Sequence, residues 1–148
     1  MGLWFFPVAA WIGVIFFSST ASAGEWCTQT FHSFSTKLLG QVLNRSSLVT
    51  LSFLAEKGVH VALFLILGTL LWKAIKAIED VPKKIAVILL LGLLIGSASE
   101  FLQRFFPGRD PSVRDVLINL CSTAIGVAVS IQLARSRQNQ ALRAESEA

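Results

Sequence analysis

Four apolar runs leave this chain few ways to fold. Residues 3–17, 59–72, 85–98 and 116–133 contain no Asp, Glu, Lys or Arg. Such runs approach the about 20 residues needed to cross a bilayer core about 30 Å thick. Lipid offers backbone N–H and C=O groups no partner, so a spanning segment of this kind is helical. Only 15% of the residues are charged and the mean hydropathy is +0.64, against about 25% charged residues in a soluble domain. The 148 residues suffice for one bundle and leave no room for a second domain. The expected fold is therefore all-α: an integral membrane bundle of four transmembrane helices over 3–20, 58–75, 84–106 and 114–134, with a polar tail over 135–148.

The connections carry the detail. Ala21-Ser22-Ala23 matches a small-residue cleavage site, but Met1–Phe6 carries no basic residue, so the first run is read as a retained helix rather than a signal peptide. Between Gly24 and Leu54, Trp26, Phe31, Phe34, Leu38, Leu39, Val42 and Leu43 recur at helical spacing with polar residues between them. This predicts an amphipathic helix in the first external loop, lying at the membrane interface. His32 in that loop reads as an exposed residue. Glu56, Lys57 and His60 sit at the mouth of the second run, where Glu56 and His60 are i and i+4 on one face. Lys73, Lys76, Lys83 and Lys84 make the next loop the most basic, and Pro82 is expected to stop the second helix.

Gly92 and Gly96 on the third helix form a GxxxG spacing that lets a neighbouring backbone approach. Asp115, Asn119, Ser122, Gly126 and Ser130 make a small or polar stripe on the fourth helix, expected to face those two glycines. Between the helices, residues 99–119 concentrate Glu100, Gln103, Arg104, Arg109, Asp110, Arg114, Asp115 and Asn119. Ionisable groups beside apolar helices are expensive, and such a stretch is a functional-site hypothesis. Glu100, Gln103 and Arg104 fall at i, i+3 and i+4 on one side of the helix. Ser112 and Asp115 also fit an N-terminal capping box, so a structural role for Asp115 competes with a catalytic one.

Orientation rests on Lys and Arg near the membrane ends. Seven lie on the side of the second loop and the tail, and six on the other. Three of those six lie in or beside the acid-rich stretch. Both termini are therefore placed inside. That arrangement also brings Lys57 and His60 to the same face as residues 100–115. Cys27 and Cys121 show no metal-ligand spacing and no CxxC, and read as separate thiols. Neither a metal nor another cofactor is expected. The positive balance points to basic loops beside anionic lipid rather than to nucleic acid, since no basic run carries interleaved aromatics.

Glu100-x-x-Gln103-x-x-Phe106-Pro107-Gly108-Arg109 followed by Ser112-x-x-Asp115-x-x-x-Asn119 resembles the signature of the VanZ-like family. Lys57-x-x-His60 ahead of an apolar helix resembles that family's other signature, and Trp11 with Phe16-Phe17-Ser18-Ser19 looks like its first helix. Two positions depart from the pattern. Ser99 stands where the family usually has Asp, and Ser122 where it usually has Gly. The first change removes one carboxylate from any two-acid mechanism; the second keeps the residue small. The resemblance implies a four-helix membrane protein of a bacterial-type cytoplasmic membrane. It also implies a relation to glycopeptide resistance of the teicoplanin type.

The residue chemistry supports two readings. In one, His60, Glu100 and Asp115 are acid–base or catalytic candidates, while Lys57, Gln103, Arg109 and Asn119 bind substrate. Arg would grip a phosphate or carboxylate as a fork and Lys as a point charge. The partners would be membrane lipid, a lipid-linked envelope precursor or a lipoglycopeptide. In the other reading the same groups form a structural network in a non-enzymatic scaffold. Gly92, Gly96, Ser122 and Gly126 are assigned to helix packing in both, and oligomeric state is left open.

Overall fold

The computed structural model describes residues 4–20, 45–106 and 111–146, with isolated helical positions at 29–30, 33–34 and 37. Among the described residues there are four long helices: α1 (Phe5–Ser18), α2 (Arg45–Ala74), α3 (Val81–Gln103) and α4 (Val113–Ser146). Among the described residues there are no strands. The protein is an all-α bundle in which α2, α3 and α4 are long and apolar enough to cross a membrane. α1 has 14 residues, or about 21 Å at 1.5 Å per residue, shorter than a full span. Its packing is nevertheless that of a bundle member. Val8 and Ile15 enter the core with Phe64, Leu67, Leu71, Ile88 and Val127. The Trp11 indole Nε1 donates to the Leu63 carbonyl at 2.9 Å, which gives the polar tip of a large apolar ring its partner.

Successive helices run in opposite directions. Ser19, which caps the end of α1, meets Ser99 near the end of α3, with the two Oγ atoms 2.7 Å apart. At the opposite end, Trp4 ahead of α1 lies under Lys73 in the last turn of α2. Large apolar side chains on the outward faces, among them Phe6, Phe17, Leu90, Leu94, Phe101, Leu117, Ile125 and Leu133, are exposed. On a membrane bundle this is the lipid-facing surface.

Three boundaries differ from those expected. α2 begins at Arg45, well ahead of the expected start at residue 58, and runs unbroken to Ala74. Pro82 lies in the first turn of α3, where its missing N–H would have no intrahelical partner anyway. It therefore starts one helix rather than stopping another, which ends at Ala74. Asp80 is the N-cap, its Oδ1 accepting the Lys83 N–H at 2.9 Å. α4 continues to Ser146, and residues 134–146 are exposed along it, so the polar tail is a helical extension. The amphipathic helix expected over residues 26–43 lies largely outside the described residues, as do Cys27 and His32. Cys121 is exposed on α4.

The helices approach most closely through small residues, in a pattern only partly that of the sequence stripe. A Cβ on Gly92 would lie 2.8 Å from Thr123 Cγ2, and one on Gly96 would lie 3.4 Å from Asn119 Cβ. These contacts join α3 to α4. Gly126, however, turns toward α2, where a Cβ would meet the Leu65 carbonyl oxygen and lie 3.2 Å from the Thr69 nitrogen. Gly68 of α2 answers it, packed on the Thr123 carbonyl oxygen. The tightest backbone contact is therefore α2 with α4. Ser122 and Ser130 are buried and donate within α4, to the Ile118 and Gly126 carbonyls.

Candidate functional site

The polar residues of the sequence gather where α2 enters the bundle, α3 ends and α4 begins. Each helix supplies its part for a local reason. Lys57 and His60 are one turn apart at the start of the apolar stretch Lys57–Ala74, and so share a face. Glu100 and Gln103 are likewise one turn apart on the inward face of α3, and Gln103 Nε2 donates to Glu100 Oε1 at 3.2 Å. Asp115 and Asn119 are one turn apart on the inward face of α4. Glu100, Gln103, Asp115 and Asn119 are all buried, Asn119 completely.

The strongest contact crosses from α2 to α4. Lys57 Nζ lies 2.6 Å from Asp115 Oδ2, a charge-assisted hydrogen bond. Asp115 does not complete a capping box. Ser112 instead caps α4 by accepting the Arg114 N–H at 3.2 Å, and its own N–H donates to Glu100 Oε2 at 3.2 Å. The turn before α4 is thus tied to α3 by a carboxylate, while Asp115 is committed to Lys57. His60 Nδ1 lies 4.0 Å from Glu100 Oε1, beyond hydrogen-bond reach but close enough for a bridging group or a small side-chain movement to join them.

Several atoms of the cluster are buried and have no hydrogen-bond partner among the described residues: His60 Nδ1, Asp115 Oδ1, and both Nδ2 and Oδ1 of Asn119. Buried polar atoms are nearly always paired. Four such atoms on three side chains of the cluster therefore mark unused hydrogen-bonding capacity at this end of the bundle. Beside it, a groove of about 240 Å³ runs between the end of α3 and the start of α4. Glu100 and Ser112 contribute polar lining, Phe101, Val113 and Val116 are apolar, and Arg104 is also part of the wall.

Arg104, one turn beyond Glu100, lines the same groove. It is exposed, with its guanidinium carbon 5.8 Å from the Phe101 ring centroid. The N–H groups of Arg104, Phe105 and Phe106 bond to carbonyls three residues back, so α3 closes in a 3₁₀-type turn. Arg109 lies outside the described residues. Ser99, at the position where the family pattern has an acid, is buried and bonded to Ser19, so it faces α1 rather than the Lys57–Asp115 pair. Ser19 was not singled out as a site neighbour in the sequence; its signal was the Ser18-Ser19 pair that closes the first helix.

A family model described as VanZ/LLP1 matches residues 4–135, which takes in α1 to α3, α4 as far as Arg135, and every member of the cluster. No curated protein and no solved structure gives a significant match. The chain belongs to the VanZ/LLP1 family, as a VanZ-like membrane protein.

Proposed function

We propose that this VanZ-like protein binds an amphiphilic component of the cell envelope at the end of the bundle where Lys57, His60, Glu100, Gln103, Asp115 and Asn119 meet. The ligand class is a lipid-linked envelope precursor with an anionic head, or a lipoglycopeptide drug of the teicoplanin kind. The setting is a bacterial-type cytoplasmic membrane with both termini inside and the cluster at the outer face, and the physiological consequence is a change in glycopeptide resistance. The observation that carries this reading is the set of buried partnerless atoms on His60, Asp115 and Asn119. They suit the hydroxyl and amide groups of a sugar–peptide head, since Asn119 offers a donor and an acceptor and Asp115 an acceptor. The anionic part of such a head would stay at the rim, near exposed Arg104 and Arg114. The adjoining groove has apolar walls for the lipid portion. Of the binding residues read from the sequence, Arg109 is retained in this proposal on its charge and position in the chain alone.

A second reading has its own support. The Lys57–Asp115, Gln103–Glu100 and Ser112–Glu100 contacts are made within the protein, as a network that only fastens helices would require. A purely structural network, however, gains nothing from an amide that bonds to no part of it.

Asn119→Leu separates the two. Leucine is of similar size, and replacing a buried, unsatisfied amide by an apolar group is near neutral or stabilising. The variant is expected to reach wild-type levels in the membrane with an equal or higher melting temperature. It should lose any protection against a lipoglycopeptide that the wild type confers on a sensitive host. Full protection by Asn119→Leu at equal expression would overturn the binding reading.

A further inference from the structure

The opposite end of the bundle carries a second collection of charge. Lys84 Nζ in the first turns of α3 lies 4.3 Å from the centroid of the Trp72 ring on α2. Lys73, next to Trp72, has its Nζ 5.4 Å from the centroid of the Trp4 ring at the start of α1. Lys76 stands near enough to Lys84 for their charges to repel. The start of α1, the end of α2 and the start of α3 thus lie at one end of the bundle, with two ammonium groups stacked on indoles and a third close to Lys84. The contacts of Lys or His with an acid found among the described residues, Lys57–Asp115 and His60–Glu100, are both at the far end. Of the two local acids, Asp80 accepts the Lys83 N–H as the cap of α3, and Glu79 is exposed.

An ammonium over an aromatic face keeps N–H donors pointing away from the ring. Lys84, held in this way with the like charge of Lys76 nearby, favours an anion beside it. The surroundings say what kind of anion. Trp at a helix end marks the level of the lipid headgroups, and Phe5 and Phe6, beside Trp4, keep 60% and 81% of their surface uncovered. A phosphate on the lysines would therefore have apolar surface directly alongside for its acyl chains. We propose that Lys73, Lys76 and Lys84, with Trp4 and Trp72, form a site for the headgroup of one anionic phospholipid. The site is independent of the polar cluster at the other end.

The test is lipid titration of the detergent-solubilised full chain, read by native mass spectrometry, with phosphatidylglycerol and phosphatidylcholine as probes. Lys73→Gln/Lys84→Gln should weaken phosphatidylglycerol binding about 30-fold, taking about 1 kcal/mol for each lysine near an anionic headgroup. Lys73→Arg/Lys84→Arg should retain it. Arg135→Gln/Arg137→Gln removes the same charge from the exposed end of α4 and should leave it within about twofold. Phosphatidylcholine should respond to none of these changes. Equal weakening by the lysine and arginine pairs would show a general charge effect and overturn the site. Unchanged binding in the lysine variant would also overturn it. Displacement of the lipid by inorganic phosphate at equal concentration would replace the lipid site with a free-phosphate one.

Discussion

Lys57→Met is expected to destabilise the bundle by about 3 kcal/mol. The substitution strands Asp115, whose side chain is 5% exposed, opposite an apolar residue. Breaking a buried ion pair from one side costs about 3–5 kcal/mol, because the remaining charge is left without compensation. The lower end applies here, since Lys57 keeps 21% of its side-chain surface exposed and solvent already screens the pair. Asp115→Leu should cost less, for the same reason: the lysine left behind reaches solvent. Lys57→Met/Asp115→Leu should recover most of the loss, because an apolar pair of similar volume needs no desolvation of charge. Unfolding of the three variants in one detergent checks this. A double variant as unstable as Lys57→Met would show that the two residues do not act as a pair. The double variant also bears on function, since a stable protein that no longer engages its ligand would place the ion pair in the binding machinery.

Gly126→Ala is expected to cost about 2 kcal/mol, although alanine is the better helix former. The propensity gain is at most about 1 kcal/mol. Against it stands a methyl group pressed onto the Leu65 carbonyl oxygen of α2, with the Leu65 carbon 3.1 Å and the Thr69 nitrogen 3.2 Å away. These are backbone atoms and cannot rotate aside. The helices must separate, and overpacking of this kind costs about 1–3 kcal/mol. Gly68→Ala should behave alike, since its methyl would meet the Thr123 carbonyl oxygen. Gly96→Ala is the contrast. Its nearest neighbours, at 3.4 to 3.6 Å, are ordinary contacts, so the propensity gain should prevail and the protein should be unchanged or slightly more stable. Melting temperatures of the three variants side by side test the assignment of the closest contact to α2 and α4. Equal losses at all three positions would contradict it.

The helices were legible because lipid imposes two demands that the sequence displays openly: uncharged length and internal backbone pairing. The members of the cluster were legible for the converse reason. Lys57, His60, Glu100, Asp115 and Asn119 are expensive beside apolar helices, and helical spacing puts each pair on one face. What the sequence could not supply was the choice of partners across helices. Asp115 had a credible partner at the helix start and another on α2. The structure takes Lys57, leaving Ser112 to cap the helix alone and to anchor its N–H on Glu100. Gly68 lies in a run of leucines with no spaced companion, so nothing in its own helix marked it as a contact. Its role depends on Thr123, fully buried, whose backbone meets Gly68 and whose side chain meets Gly92. Arg104 shares a groove wall with Glu100, as its spacing suggests, but that its guanidinium lies exposed over Phe101 was not readable from spacing.

The central claim is that the polar cluster has unused bonding capacity because a ligand completes it. Native mass spectrometry of gently solubilised wild type and Asn119→Leu tests this most directly. The account predicts a lipid-linked envelope precursor or lipoglycopeptide, distinct in mass from any phospholipid held at the lysine end, carried one-to-one by the wild type. It should be absent from Asn119→Leu and still present on Lys73→Gln/Lys84→Gln, whose changes lie at the other end of the bundle. Equal retention by wild type and Asn119→Leu, or a folded wild type that carries no such species when supplied with it, would contradict the account and leave the cluster as a fastening between helices.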